Sequence, residues 1–272
     1  MRSTAVLVLL VLGAACGDNL AAVCNNRVGG TLLPIEQHGF VAHAGGSPDG
    51  LRQGAPYTNS REAFETSYRN GFRVYEFDLI TLGDGTVVLA HDFHEDHYGL
   101  DRSFREIDRS ELEGRRYDGK YELLFAEDLV DLMVAHRDIW VILDTKWDHE
   151  IIAQHLVDLS PGPAVSDRFV PHLASTEHTR ALEAIYPFPE RMIAMYRWAG
   201  SDPELLARME QFAIDNVMMW WDMRWTPETQ TLLDGSGHHV WVHTPHEPEL
   251  IESFRAQDVR VYTDGYISQC GP

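Results

Sequence analysis

Basic residues are scarce in this chain: 22 Lys and Arg stand against 42 Asp and Glu, a net charge of −20 over 272 residues. Phosphate polymers and anionic membrane surfaces are held through basic patches, so nucleic acid and such membranes are poor partners. Any anionic ligand must meet a local positive charge, and a metal ion is wanted. Long hydrophobic runs are also missing. The apolar stretch from Thr4 to Ala15 falls well short of the roughly 20 residues a membrane span needs. Only three cysteines are present. No Gly-rich phosphate loop opens the chain, which argues against a doubly wound dinucleotide fold. No internal repeat, low-complexity tract or linker interrupts residues 40 to 272.

The apolar stretch follows Arg2 and ends in small residues before Cys16, the pattern of a signal peptide over residues 1 to 15. Leu12-Gly13-Ala14-Ala15-Cys16 resembles a bacterial lipobox with its leucine one place further out. The expectation is secretion across the bacterial inner membrane and a lipid anchor on Cys16 in the cell envelope, with ordinary signal cleavage as the alternative. That leaves Cys24 and Cys270 as an even pair near the two ends of the mature chain, available for a disulfide or as free thiols. Residues 16 to 35 read as an N-terminal tether, and residues 36 to 272 as one domain, expected to be a monomer.

The chemistry concentrates between His43 and Asp92. Phe40 to Ala42 reads as a short apolar strand running into His43 and a glycine turn at Gly45-Gly46. Residues 61 to 70 have helical periodicity, with Thr58, Asn59 or Ser60 as N-cap. Phe72 to Ile80 alternates as a strand, so Glu76 and Asp78 share a face. The turn Gly83-Asp84-Gly85 is too short for a parallel crossover, so Thr86 to His91 must return as a hairpin. Folding about Asp84 sets residue 78 opposite residue 90 and residue 76 opposite residue 92, which delivers His91 beside the carboxylate pair.

This ordered set, His43-Ala44-Gly45-Gly46, Tyr57-Thr58-Asn59-Ser60, Glu76-Phe77-Asp78, Thr81 with Asp84-Gly85, and His91-Asp92, resembles the glycerophosphodiester phosphodiesterase family. The wider superfamily includes the phosphatidylinositol-type phospholipases C and the sphingomyelinase D toxins. Asp144-Thr145-Lys146, His243-Thr244 and Thr263-Asp264-Gly265 continue the likeness more sparsely. The chain departs from the family pattern in three places. Ala44 replaces an arginine that would hold a phosphate oxygen, Thr58-Asn59-Ser60 replaces Glu-Asn-Thr, and His243 replaces the tryptophan of a late Trp-Thr motif.

Further apolar runs begin at Ile139, Phe169, Met192, Asn216, His239 and Val259, with helical patterns between them. With the strands before His43 and through Asp78, the expected fold is an α/β TIM (β/α)8 barrel with a β-hairpin excursion after the second strand. Residues 93 to 122 read as a polar loop able to cover the site. Three carboxylates, Glu76, Asp78 and Asp144, suit a hard divalent cation, Ca²⁺ or Mg²⁺. Two imidazoles, titrating near neutrality, suit proton transfer on either side of phosphorus. The resemblance implies His43 as the base or nucleophile-side group and His91 as general acid. Lys146 follows Asp144 as a point charge for phosphate or a salt bridge to a barrel carboxylate. Asn59, Arg197 and His243 are further candidates for substrate contact, and one of Trp220 and Trp221 is a candidate aromatic wall. The expected activity is metal-dependent hydrolysis of glycerophosphodiesters or related head-group diesters. Two alternatives stand beside it: a lyase that forms a cyclic phosphate, and a surface lipoprotein that binds without catalysis.

Overall fold

The computed structural model describes residues 30–49, 57–197 and 200–265. The segment 1 to 15 and Cys16, Cys24 and Cys270 lie outside the described residues, and so does the Arg197 side chain. Twelve strands appear among the described residues. They are β1 (Phe40–Ala42), β2 (Val74–Thr81), β3 (Val87–Leu89), β4 (Arg116–Tyr117), β5 (Tyr121–Glu122), β6 (Leu124–Phe125), β7 (Trp140–Thr145), β8 (Phe169–Leu173), β9 (Met192–Ala194), β10 (Asn216–Trp220), β11 (His239–His243) and β12 (Arg260–Thr263). Eight of them, β1, β2 and β7 to β12, pair in parallel. The β1–β2 pairing between Ala42 and Tyr75 closes the ring. Helices separate the later strands, so the expected (β/α)8 barrel is the fold.

Period-2 alternation decides what each strand residue does. One row, including Val41, Val74, Trp140, Ile142, Val170, Met192, Ala194, Met218, Trp241 and Tyr262, forms a buried cluster inside the barrel. The alternate row, including Tyr75, Phe77, Leu79, Val141, Leu143, Val217, Val240 and Val242, packs outward against the helix layer. Continuing the inner row by two residues on each strand arrives at His43, Glu76, Asp144, His172, Trp220, His243 and Asp264, all at one rim. Trp220 therefore belongs to the inner row, while Trp221 packs outward on the helix-layer core.

The hairpin register is the one expected: Leu79 faces Leu89, Ile80 faces Val88 and Thr81 faces Val87. The antiparallel ladder stops at Leu79, on the edge of β2 opposite β7, and further back β1 takes that edge at Tyr75. Residues 93 to 122 are not an unstructured polar loop. Their 3-10 turns, short helix and the β4–β5 hairpin close over a third apolar core of Tyr98, Phe104, Ile107, Leu112 and Tyr117, joined by Ile80, Val88, Leu123 and Phe125. The polar surface of that segment hides an apolar residue every few positions, too irregular to register as either helix or strand. Among the described residues no helix is long and apolar enough to cross a membrane.

At the opposite end of the barrel, Asn216 donates from Nδ2 to Glu190 Oε2 at 3.1 Å and accepts from Trp241 Nε1 at 2.9 Å. Burial, reinforced by Glu36 and Asp215, pushes the Glu190 carboxyl up to about 7. The native state therefore holds a proton that the unfolded chain releases, and stability falls as pH rises from the ordinary carboxylate value of 4.5 towards 7. Glu190→Gln keeps an acceptor for Asn216 and should flatten this slope. Urea unfolding at pH 8 is expected to show the variant about 1–2 kcal/mol more stable than the parent, with little difference at pH 4. Equal curves at both pH values would count against this account.

Candidate active site

The loop after β1 fixes the first histidine. His43 N-terminates a tight turn in which Ala44 takes φ 48°, and Gly45 and Gly46 take φ 80° and 89°. A Cβ on Gly46 would lie 2.1 Å from Ser67 Oγ, so only glycine passes here. Ser67 Oγ donates to the Gly45 carbonyl at 2.9 Å, and the Ala44 N–H donates to Glu76 Oε2 at 2.8 Å. Ser60 caps the next helix, Arg61–Arg69, accepting from Ala63 N. Asn59 just before it holds Asp78 at both ends: Nδ2 donates to Oδ2 and Oδ1 accepts from the Asp78 N–H, each at 2.9 Å.

Glu76, Asp78 and Asp144 are buried, and each offers a carboxylate oxygen within 4.8 Å of the others'. Lys146, just past β7, sets its Nζ 2.5 Å from Asp78 Oδ1 and 2.7 Å from Asp144 Oδ2. The Asp78 contact is an ion pair without aligned hydrogen-bond geometry. Tyr196 donates its hydroxyl to Asp144 Oδ1 at 2.6 Å, and His172 Nδ1 lies 3.5 Å from that oxygen. Burial and the neighbouring Asp78 push the Glu76 carboxyl above its ordinary range. Burial would do the same to Asp78, but the Lys146 ammonium outweighs it and Asp78 stays low. Lys146 is held well above the ordinary amine value against its own burial by Asp78 and Asp144.

The triad fits a hard divalent cation. Its donors are all oxygen, and Glu76 Oε1 is buried without a hydrogen-bond partner. Because Asn59 holds Asp78 through both its amide oxygen and its amide nitrogen, Asn59→Ala should lower the affinity of the triad for Mg²⁺ or Ca²⁺ roughly 10- to 100-fold. Calorimetric titration checks this, and an unchanged affinity would remove Asn59 from the support of the triad.

The histidines form a chain of their own. His43 Nδ1 meets Asp264 Oδ1 at 2.5 Å, and His43 Nε2 lies 3.0 Å from His243 Nε2. Burial opposes a charge on His43, yet Asp264, Glu76 and Asp78 push it up to about 9. Burial and then the His43 charge push His243 well below the ordinary imidazole value. His43 therefore donates at both nitrogens, and neutral His243 donates from Nδ1 to Thr244 Oγ1, 3.1 Å away. His91 sits on the hairpin side, its Nδ1–H donating to the Asp92 carbonyl at 2.6 Å, which leaves Nε2 for proton transfer. Tyr57 lies between the two imidazoles, edge-on to His43 at 4.7 Å and to His91 at 5.3 Å.

A comparison with protein-family models finds no match, and neither does one with curated protein sequences. Solved structures do match. A protein from Galdieria sulphuraria assigned as a glycerophosphodiester phosphodiesterase superposes with a TM-score of 0.70 at 18% identity, over 86% of this chain and 95% of that one. An Oleispira antarctica phosphodiesterase in complex with the product sn-glycerol-3-phosphate gives 0.68 at 14% identity, over 84% and 93%. The glycerophosphodiester phosphodiesterase of Thermotoga maritima gives 0.64 at 17%, over 84% and 94%. The chain shares the fold of these phosphodiesterases.

On this phosphodiesterase-like barrel, His43, Glu76, Asp78, Asp144, Lys146, Asn59 and His243 come together as one cluster, with His91 one ring away across Tyr57. Two contributors were not singled out from the sequence, His172 and Tyr196, which brace Asp144. Asp264, expected at the rim from the Thr263-Asp264-Gly265 motif, anchors His43. His172 and Asp264 lie on the inward rows of β8 and β12, two residues beyond Val170 and Tyr262, and that alternation is the signal that finds them. Trp220 stacks on Tyr196 with ring centroids 6.3 Å apart and planes 18° from parallel, and is 38% exposed.

Proposed function

We propose that this chain is a metal-dependent phosphodiesterase that hydrolyses glycerophosphodiesters or related phospholipid head-group diesters, with two histidines as base and acid. The observation that carries it is the convergence of three buried carboxylates, a lysine and the histidine side of the site at the barrel rim where such folds keep their chemistry. That a neighbour of the same fold holds sn-glycerol-3-phosphate supports a small phosphate-bearing substrate.

Glu76, Asp78 and Asp144 would hold Ca²⁺ or Mg²⁺, which when bound supplies positive charge to the phosphoryl oxygens. Lys146 adds a fixed ammonium on the same side. The neutral form of His43 would accept the proton of the attacking oxygen, and Asp264, with Glu76 and Asp78 behind it, favours the imidazolium that results. Asp264 holds the ring in place through Nδ1 during that transfer. His91, with Nδ1 tied to its own backbone, gives its Nε2 proton to the departing alcohol oxygen.

The test is turnover of a panel of glycerophosphodiesters and lysophospholipids, followed by phosphorus NMR with Mg²⁺, with Ca²⁺ and with chelator. Metal-dependent release of a phosphomonoester is the expected result. A cyclic phosphate as end product would identify a lyase, and no turnover of any diester by folded protein would sink the reading.

A further inference from the structure

The place that an arginine fills in the resembled family is Ala44 here, and among the described residues several polar groups of the site are committed. Asn59 is spent on Asp78, Lys146 sits between Asp78 and Asp144, and His43 is bound at both nitrogens. Tyr57 is different. Its ring is gripped by both candidate catalytic imidazoles, at 4.7 Å and 81° from His43 and 5.3 Å and 86° from His91. Among the described residues its hydroxyl has no hydrogen-bond partner; the only bond at this residue is the Asn59 Nδ2 contact to its carbonyl at 3.4 Å. Its backbone sits at φ 58°, in the left-handed region that bulky residues avoid. Such conformations collect at ligand-binding sites, where the surroundings hold them in place.

The charges that act on the phenol are those of Asp264, Asp78, Glu76 and Lys146, all of them groups of the site. Burial and those carboxylates keep it protonated far above neutral pH. It is therefore a permanent neutral donor beside two proton-transfer groups. A phosphodiester anion held against the triad presents a non-bridging oxygen that can accept from such a donor, and among the described residues Asn59 and Lys146 are already engaged elsewhere.

Resting on the phosphodiesterase reading, we propose that the Tyr57 hydroxyl donates a hydrogen bond to a non-bridging phosphoryl oxygen of the substrate, doing the work left open by Ala44. Tyr57→Phe keeps the ring against both imidazoles and removes one oxygen. In the full chain with saturating Mg²⁺, it should weaken inorganic phosphate binding roughly 10- to 100-fold, the usual effect of losing a hydrogen bond to a charged group. kcat/KM on a glycerophosphodiester should fall by a similar factor. The thermal midpoint and the Mg²⁺ affinity should not move, which separates a lost contact from a damaged fold. Phosphate binding by Tyr57→Phe as tight as in the parent overturns the proposal, as does a parent that binds no phosphate. If the parent binds phosphate but turns over no diester, the phosphodiesterase reading fails, while weakened phosphate binding by the variant still supports Tyr57 as an oxyanion donor.

Discussion

Lys146→Met is expected to destabilise the metal-free protein by about 3–5 kcal/mol, the usual cost of breaking a buried ion pair from one side. The ammonium lies between Asp78 and Asp144 and is itself largely buried, so its loss leaves three carboxylates within 4.8 Å of one another with no cation among them. The same arrangement sets the response to divalent ions. In the parent, an incoming cation is repelled by the ammonium already there; in the variant, that repulsion is gone. Ca²⁺ or Mg²⁺ should therefore raise the thermal midpoint of Lys146→Met by more than that of the parent, since binding to the native state alone stabilises by RT ln(1 + [L]/Kd) and Kd has fallen. Thermal unfolding in chelator and in a metal series measures both effects. A variant as stable as the parent in chelator would mean that Lys146 does not balance the triad.

Removing either histidine should cost turnover by about 10²- to 10⁴-fold, the range for a lost general acid or base. His43→Ala and His91→Ala are not expected to behave alike in stability. His43 is buried and held between Asp264 and His243, so its loss strands a buried carboxylate and should lower the thermal midpoint. His91 is partly exposed and bonded to its own neighbour, so its loss should leave stability nearly unchanged. Substrates with an activated leaving group, such as p-nitrophenol, need no proton on departure. They should restore much of the rate to His91→Ala and none to His43→Ala. Equal restoration in both would reverse or erase the assigned roles.

The parts of this site that were legible in the sequence are those governed by short-range geometry. The strand period places Glu76 and Asp78 on one face whatever surrounds them, and the two-residue alternation is visible in Val74-Tyr75-Glu76-Phe77-Asp78. The turn at Asp84 sets the hairpin register by length alone, and the observed pairs Leu79–Leu89 and Thr81–Val87 follow it. The count of apolar runs separated by helical patterns was enough for the barrel. Residues 93 to 122 were misread because a small core assembled from 3-10 turns and two-residue strands carries no period long enough to recognise.

The chain's own sequence determined the elements, their order, the charge balance and which residues could carry the chemistry, because propensity, alternation and turn length act over a few residues. Only closure of the barrel decided which of them meet. His43 reaches Asp264 and His243 across 221 and 200 residues, and Tyr196, in the turn after β9, and His172, on β8, both reach Asp144. Those contacts depend on the register and curvature of eight strands at once, and on the burial that sets the charge state of each group. No local pattern encodes either.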